Sequence, residues 1–353
     1  MRDRLDQWIA IGFRARERDT SWIAPSEAAV RKQFATAHPL WKTCERELFG
    51  NEHARCVAIV NPRLRDAAGL PYGQVGWFEA LGADPAKRML DDACEWLRVR
   101  GCRTVLGPMN GSTWHAYRFV VVSGGEESFL TEPTNPPDYP AWMEAAGFTR
   151  MDSAYTSSVQ DNVRAEKELA AGRLAAEEKG YRVVPVDLSD LGKVFQTIYE
   201  ISAEVFKGNP FYSEIGFEEF FALYDGIERL VDPRLLNWLL DPAGKIAGFG
   251  FGFPDKGGAV RRMRGQSGVM AKLRYLTGPK VTRSVFKSMG ILPEHQGKGL
   301  ASALFYEQAV RAVESGWQTG IRALMAEGNR SFATGRDLHR TIRTYALFQR
   351  TLA

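Results

Sequence analysis

The segment Ile291-Leu292-Pro293-Glu294-His295-Gln296-Gly297-Lys298-Gly299-Leu300-Ala301 limits what this 353-residue chain can fold into more than any other. An apolar strand, SVFKSMGIL (284–292), runs into a turn with two glycines, and a helix follows at about 299–315. Glycines let backbone N–H groups converge with no Cβ in the way. A helix N-terminus adds partial positive charge. Together they form an anion site suited to a pyrophosphate. A Gly-x-Gly pair alone equally fits a strand-to-helix turn with no ligand. No Gly-Lys-Ser/Thr stands at P-loop spacing, and no Gly-x-Gly-x-x-Gly completes a dinucleotide fingerprint. Ala301, Leu304, Phe305, Ala309, Ala312 and Val313 give the helix a stripe to bury against a sheet.

The rest of the chain reads as strands and helices in alternation. Residues 56–63 and 73–79 read as strands. A helix over 84–100 has Asp84 as N-cap, Pro85 at its first position and Gly101 at its end. The strand CRTVLGPM follows, then an aromatic and Gly-rich loop, a short helix at 139–146, and a last strand through Tyr155. Residues 161–179, rich in Ala, Glu and Lys, read as an exposed connecting helix. The second half repeats the order: strand 181–188, helical stretches from Ser189 to about Tyr224, and a hairpin 235–240/245–253 around Asp241-Pro242-Ala243-Gly244. The motif strand and helix come next, then strand 319–327 and a final strand 342–352. The expectation is a mixed-sheet α/β fold in two tandem units. Residues 1–155 form the first, 156–180 the connection and 181–353 the second.

Composition narrows the function classes. The chain is 44% hydrophobic and 25% charged, which excludes disorder as its main state. Its net charge of +4 suits an anionic small ligand without establishing a nucleic-acid partner. No uncharged apolar run reaches the ~20 residues needed to span a bilayer, and the N-terminus lacks a signal-peptide pattern. A cytoplasmic protein with no membrane partner is therefore expected. Cys44, Cys56, Cys94 and Cys102 form no Cys-x-x-Cys pair and have no His cluster beside them. They read as buried free thiols, and no metal site is expected.

The pattern Gln-x-x-Gly-x-Ala, met by Gln296, Gly299 and Ala301 after Ile291-x-Pro293-Glu294, resembles the acyl-CoA motif of the GNAT N-acetyltransferase superfamily. The element order of 181–353 matches as well, and Asn329 stands where that family commonly has an Asn. The usual Tyr-x-x-x-Gly-Phe close is absent. The first half is a fainter echo through Asn135, Tyr139 and Gly147-Phe148. There Gly82-Ala83-Asp84-Pro85-Ala86 replaces the phosphate loop: Asp84 would repel a pyrophosphate and Pro85 removes a donor. Gly107-Pro108-Met109-Asn110, with Ser112 and Trp114, resembles a group of bacterial tandem GNAT-like proteins.

The resemblance implies an acyl-CoA-dependent N-acyltransferase, moving an acetyl or related group directly to an amine of a small molecule or peptide. Acetyl-CoA or another acyl-CoA would be the cosubstrate, bound by the second unit only. Met289, Ile291, Gln296, Gly297, Lys298, Gly299, Leu300, Ala301 and Asn329 would hold it, with the Ile291 N–H as oxyanion donor. Glu327, Glu204 and Glu214 are candidate bases, and Tyr345 is the candidate acid for the leaving thiolate. His115 and the aromatic segment 211–217 are further candidates for the acceptor side. Two other readings stay open: a non-catalytic acyl-CoA-binding scaffold and an aminoacyl-tRNA-dependent transferase. Residues 256–283 hold eight Lys or Arg and no Asp or Glu. That run reads as a solvated face, or as a clamp on CoA phosphates, an acidic acceptor or RNA. With Tyr275 as its one aromatic residue, a nucleic-acid platform is disfavoured. The run Ser112–Tyr117 is expected to wall part of the acceptor cleft from the first half.

Overall fold

Each of the two sheets in this protein contains strands lent by the other half of the chain. The computed structural model describes residues 2–152, 155–224, 226, 230–326, 328 and 330–352. Helices α1 (Arg2–Ala15), α2 (Glu27–Phe34) and α3 (Leu40–Thr43) lead into β1 (Glu45–Gly50), β2 (Ala54–Arg65), β3 (Pro71–Ala80), α4 (Ala83–Val99) and β4 (Thr104–Gly107). Strand β5 (Phe119–Ser123), α5 (Tyr139–Ala145), β6 (Thr149–Arg150), β7 (Tyr155–Asp161), α6 (Asn162–Glu168) and α7 (Ala170–Glu178) follow. The second half contains β8 (Arg182–Pro185), α8 (Leu191–Phe206), α9 (Phe217–Leu223), β9 (Leu236–Leu240) and β10 (Ile246–Pro254). It continues with α10 (Gly257–Met263), α11 (Val269–Leu276), β11 (Arg283–Ile291), α12 (Ala301–Glu314), β12 (Thr319–Ala326), α13 (Arg330–Ala333), β13 (His339–Ala346) and β14 (Phe348–Thr351).

The first sheet has the order β1-β2-β3-β4-β14-β6, and the second β5-β13-β7-β12-β11-β10-β9-β8. The final strand expected at 342–352 is thus two strands. Ala346 pairs with Phe119 in the second sheet, and Phe348 pairs with Gly107 and Arg150 in the first. Leu347 alone makes the switch, with its carbonyl accepting from the Met151 N–H at 2.9 Å. The strand expected through Tyr155 divides likewise into β6 in the first sheet and β7 in the second. The cores interlock in the same way. Phe348 is buried among Val75, Leu90 and Leu97, and Phe129 among Phe251, Phe253 and Ile321.

Residues 161–179 are not one exposed helix. The helix breaks at Leu169, and both pieces pack on α12 through Ala165, Leu169 and Ala176. Helix α4 starts one residue earlier than expected, with Gly82 at the N-cap and no side-chain cap, so Asp84 and Pro85 lie within its first turn. The run 256–283, read from sequence only by its charge, contains α10 and α11. All four cysteines are buried and free.

Candidate functional site

The motif strand β11 separates from its neighbour where the motif needs room. It pairs in parallel with β12 only from Arg283 to Phe286, against Thr319 to Arg322. Beyond that point the two strands splay. Two irregularities mark the vertex. On β11 the register against β10 slips between Phe251 and Gly252 and leaves Lys287 as the extra residue of a bulge. On β12 the register against β7 slips between Arg322 and Met325, where Leu324 takes φ 31. Bulges bend a strand and redirect its edge. Arg322 braces the vertex from within the core, donating to Gln160 Oε1 at 2.7 Å and the Thr334 carbonyl at 2.5 Å, with its guanidinium 4.0 Å from the Phe305 ring.

The ladder decides which groups of β11 face the gap. The Leu292 N–H donates to the Ala247 carbonyl at 2.9 Å. In an antiparallel pair the bonded residues alternate, so 290 and 288 also turn toward β10, and Met289 and Ile291 present N–H and C=O to the gap. Of these, the Ile291 carbonyl accepts from Gln296 Nε2 at 2.8 Å. That contact ties the Gln of the motif to the end of its strand.

The turn that follows is built as an anion cradle. Gly297 and Gly299 sit at φ 77 and 80, in the left-handed region, and a Cβ on Gly299 would meet nothing within 4 Å. Among the described residues, no oxygen accepts from the backbone N–H groups of 297–300. Helix α12 begins directly after them and buries Ala303, Leu304, Phe305, Gln308, Ala309 and Ala312. Leu300 is itself buried against Ala176 and Tyr181, so it offers the cradle only its backbone. Lys298 Nζ donates to the Tyr181 hydroxyl at 2.8 Å, which lies 2.9 Å from His295 Nδ1, and Lys179 Nζ donates to the Lys298 carbonyl at 3.0 Å. Two cations therefore stand at the cradle.

Other expected residues lie elsewhere. Glu327 and Asn329 fall outside the described residues. Glu204 and Glu214 are solvent-exposed, the former 3.6 Å from Lys207. Tyr345 is not at the gap edge: β7 and β12 separate β13 from β11. It is fully buried, donates to Glu132 and sits 2.9 Å from Ser157 Oγ. Burial and the Glu132 charge push its phenol far above the ordinary value, which makes it a poor acid for a thiolate. His115 Nδ1 lies 2.9 Å from Ser112 Oγ, its Nε2 is shielded and unpartnered, and burial pulls its pKa down to about 3. The ring is neutral at pH 7.

Lys287 was not singled out in the sequence, although a lone Lys inside the apolar strand SVFKSMGI was a readable signal. Burial pulls its ammonium down to about 8, against the attraction of Glu132. The Glu132 side chain is fully buried, in a loop of the first half, 3.4 Å from Arg343 Nε. Burial raises its carboxyl, opposed first by the Arg343 charge.

The halves meet on the α8–α9 side of the second sheet. Trp114 Nε1 donates to the Ser213 carbonyl at 3.0 Å, and its ring lies 5.7–6.0 Å from Phe206, Tyr212 and Phe220. Arg63 forks onto Glu219 at 2.7 and 3.2 Å. The first half has its own splay, and it is filled. Strand β3 pairs with β4 only at Gly73–Gln74. Beyond, the Met109 N–H donates to the Val75 carbonyl at 2.9 Å, and Asn110 Oδ1 accepts from the Trp77 N–H at 2.8 Å. A Cβ on Gly76 would lie 2.6 Å from this segment, so the glycine is required there.

Among the described residues, no group of three His, Cys, Asp or Glu is placed to hold a metal. No protein-family model matches the chain, and no curated protein does. Solved structures do. A tandem GNAT protein from the clavulanic acid biosynthesis pathway superposes with a TM-score of 0.54 and 14% identity, over 98% of this chain and 94% of that one. A GCN5-related N-acetyltransferase from Sphaerobacter thermophilus gives 0.46 and 13% identity, over 85% and 80%. A GCN5-related glucosamine N-acetyltransferase region of a fungal multi-domain GH3 beta-N-acetylglucosaminidase gives 0.49 and 12% identity over 83% of this chain. This chain spans 31% of that longer protein. Strand order, splay and full-length superposition agree: the chain is a tandem protein of the GNAT fold.

Proposed function

We propose that this protein transfers an acyl group from an acyl-CoA to an amine, using the splay of its second half alone. The unbonded N–H groups of residues 297–300, at the N-terminus of α12 and directly below the open gap, carry this reading. They suit a pyrophosphate, and the gap-facing backbone of Met289 and Ile291 suits the amide-bearing pantetheine arm. The Ile291 N–H would stabilise the oxyanion as the amine nitrogen adds to the thioester carbonyl. That addition forms the C–N bond; collapse of the oxyanion breaks the C–S bond and releases the thiolate, and the nitrogen sheds its second proton to water.

Lys287 is our candidate for the proton steps. It stands on the bulge at the vertex, and its neutral form is within reach at physiological pH. It would take the proton from the acceptor ammonium, directly or through water, and return it to the thiolate.

Calorimetry with acetyl-CoA and longer acyl-CoAs, followed by a free-thiol assay over a panel of amines, tests the reading. CoA bound without thiol release would leave a scaffold, and no CoA binding would end the proposal. In Lys287→Met, kcat should fall at least about 100-fold with CoA affinity unchanged. The wild-type rate should rise with pH through about 8, because only the neutral amine accepts a proton.

A further inference from the structure

Helix α11 turns an apolar face to solvent. Val269, Met270, Leu273 and Leu276 are 82%, 61%, 51% and 77% exposed, while Ala271 is 1% exposed. At about 100° per residue these four side chains share one arc of about 120°, opposite Ala271 and the half-buried Tyr275. Lys272 and Arg274 fall on either side of the arc. Single exposed apolar residues need no explanation, but a contiguous ridge does.

The ridge lies in the most basic stretch of the chain. Of the eight cations in 256–283, Arg261 and Arg283 are engaged with Glu127 and Asp255. Arg262, Arg264, Lys272, Arg274 and Lys280 are exposed, and among the described residues none of the five forms an ion pair. The platform beneath is firm. Arg283 Nε donates to Asp255 at 2.7 Å, and Asp255 also accepts from the N–H groups of Leu130 and Gly257 at 3.1 and 2.9 Å. The stretch cannot clamp the phosphates of a CoA at 297–300. The nine residues of β11 lie between, at about 3.3 Å each.

Three occupants could cover such a face. A second copy would set five unpaired cations against five more. A single-stranded nucleic acid would find an aliphatic ridge where stacking needs aromatic rings. An anionic bilayer meets both features at once, with aliphatic side chains entering the acyl boundary and cations at the headgroup phosphates. We propose that the α10–α11 face docks this protein on an anionic lipid surface. This reverses, for this face, the sequence expectation of no membrane partner. Among the described residues no helix is long and apolar enough to cross a membrane, so the contact is peripheral.

Flotation of the full chain with vesicles tests this. One set is phosphatidylcholine alone, and the other is equal parts phosphatidylcholine and phosphatidylglycerol. The protein should float with the second set at low salt and not with the first. The double substitutions Leu273→Ser/Leu276→Ser and Lys272→Glu/Arg274→Glu should each cut partitioning at least about tenfold. Unchanged circular dichroism would show both variants folded. Failure of the wild type to float with the anionic vesicles would overturn the proposal, as would full binding by the Leu273→Ser/Leu276→Ser variant. So would a wild-type dimer in sedimentation that this variant dissociates, or single-stranded RNA binding that it abolishes.

Discussion

The first half and the second half each open a parallel strand pair beyond a short paired stretch, β3–β4 in one and β11–β12 in the other. In the first, Met109 and Asn110 lie in the opening and meet the backbone of Val75 and Trp77. In the second, among the described residues, only the Gln296 amide reaches the edge of β11. The turns that follow differ in the same sense. The first half passes from β3 to α4 through Leu81 and an extended Gly82, with φ 176. The second half uses two left-handed glycines and leaves four N–H groups unbonded. Two units of one chain can thus share this opening and differ at one backbone edge. One has its own chain where the other has room for a ligand.

Separating the halves should have the largest effect. A chain starting at residue 181 lacks β5 and β7, which flank β13 in the second sheet. It should show no cooperative unfolding by calorimetry. A cooperative transition in that fragment would mean that the lent strands are dispensable.

Paired substitutions sharpen the contrast between the turns. Gly299→Asp should weaken acetyl-CoA binding at least about 100-fold by setting a carboxylate in the cradle. The protein should stay folded, because no atom opposes the new Cβ and Asp tolerates the left-handed region. Gly82→Asp should leave binding unchanged, since Gly82 is extended and its added Cβ would meet only Pro85 at 3.7 Å. Equal losses in calorimetry would break the assignment of the ligand to one half.

The contact between halves comes next. Glu219 is nearly buried, and its carboxylate partners Arg63. Glu219→Ala should cost about 3 kcal/mol in denaturant unfolding, because it leaves the guanidinium uncompensated. A loss below about 1 kcal/mol would mean that water serves Arg63 as well.

The smallest effect is the pH dependence from His115. Its folded pKa, about 3, lies below the ordinary 6.5. Between these values the unfolded chain binds a proton that the folded chain refuses. Stability should therefore fall as pH drops from 6.5 toward 3, and the slope should be shallower in His115→Gln. Parallel stability curves for the two proteins would show that the ring is better hydrated than its environment indicates.

Much of this was legible in the residues. The four buried thiols follow from the lack of a Cys-x-x-Cys pair or a His cluster, and the stripe of α12, the glycine pair and the hairpin at 241–244 from local periodicity and turn chemistry. So does the contrast between Gly82-Ala83-Asp84-Pro85 and Gln296-Gly297-Lys298-Gly299. Backbone conformation and helix-end charge are set within a few residues of chain. The alternation that turns Met289 and Ile291 to the gap is a property of any antiparallel pair, once the neighbour is known.

What needed the tertiary structure is pairing over long separations. Residues 342–352 read as one strand because Leu347 carries no Gly or Pro signal. Its division between two sheets depends on where β4, β6 and β7 already lie. Tyr345 was the candidate acid in sequence, but it is a buried donor to Glu132, which comes from the other half. Lys287 acquired its lowered pKa from burial in the folded chain, which outweighs the attraction of Glu132 from that same loop. Composition marked 256–283 as basic, but only the folding of α11 against the rest put Ala271 inside and Val269, Met270, Leu273 and Leu276 outside. A residue's local preferences act over a turn of helix or a pair of strands. Its burial, its charge state and its partner are decided by whichever distant segment packs against it.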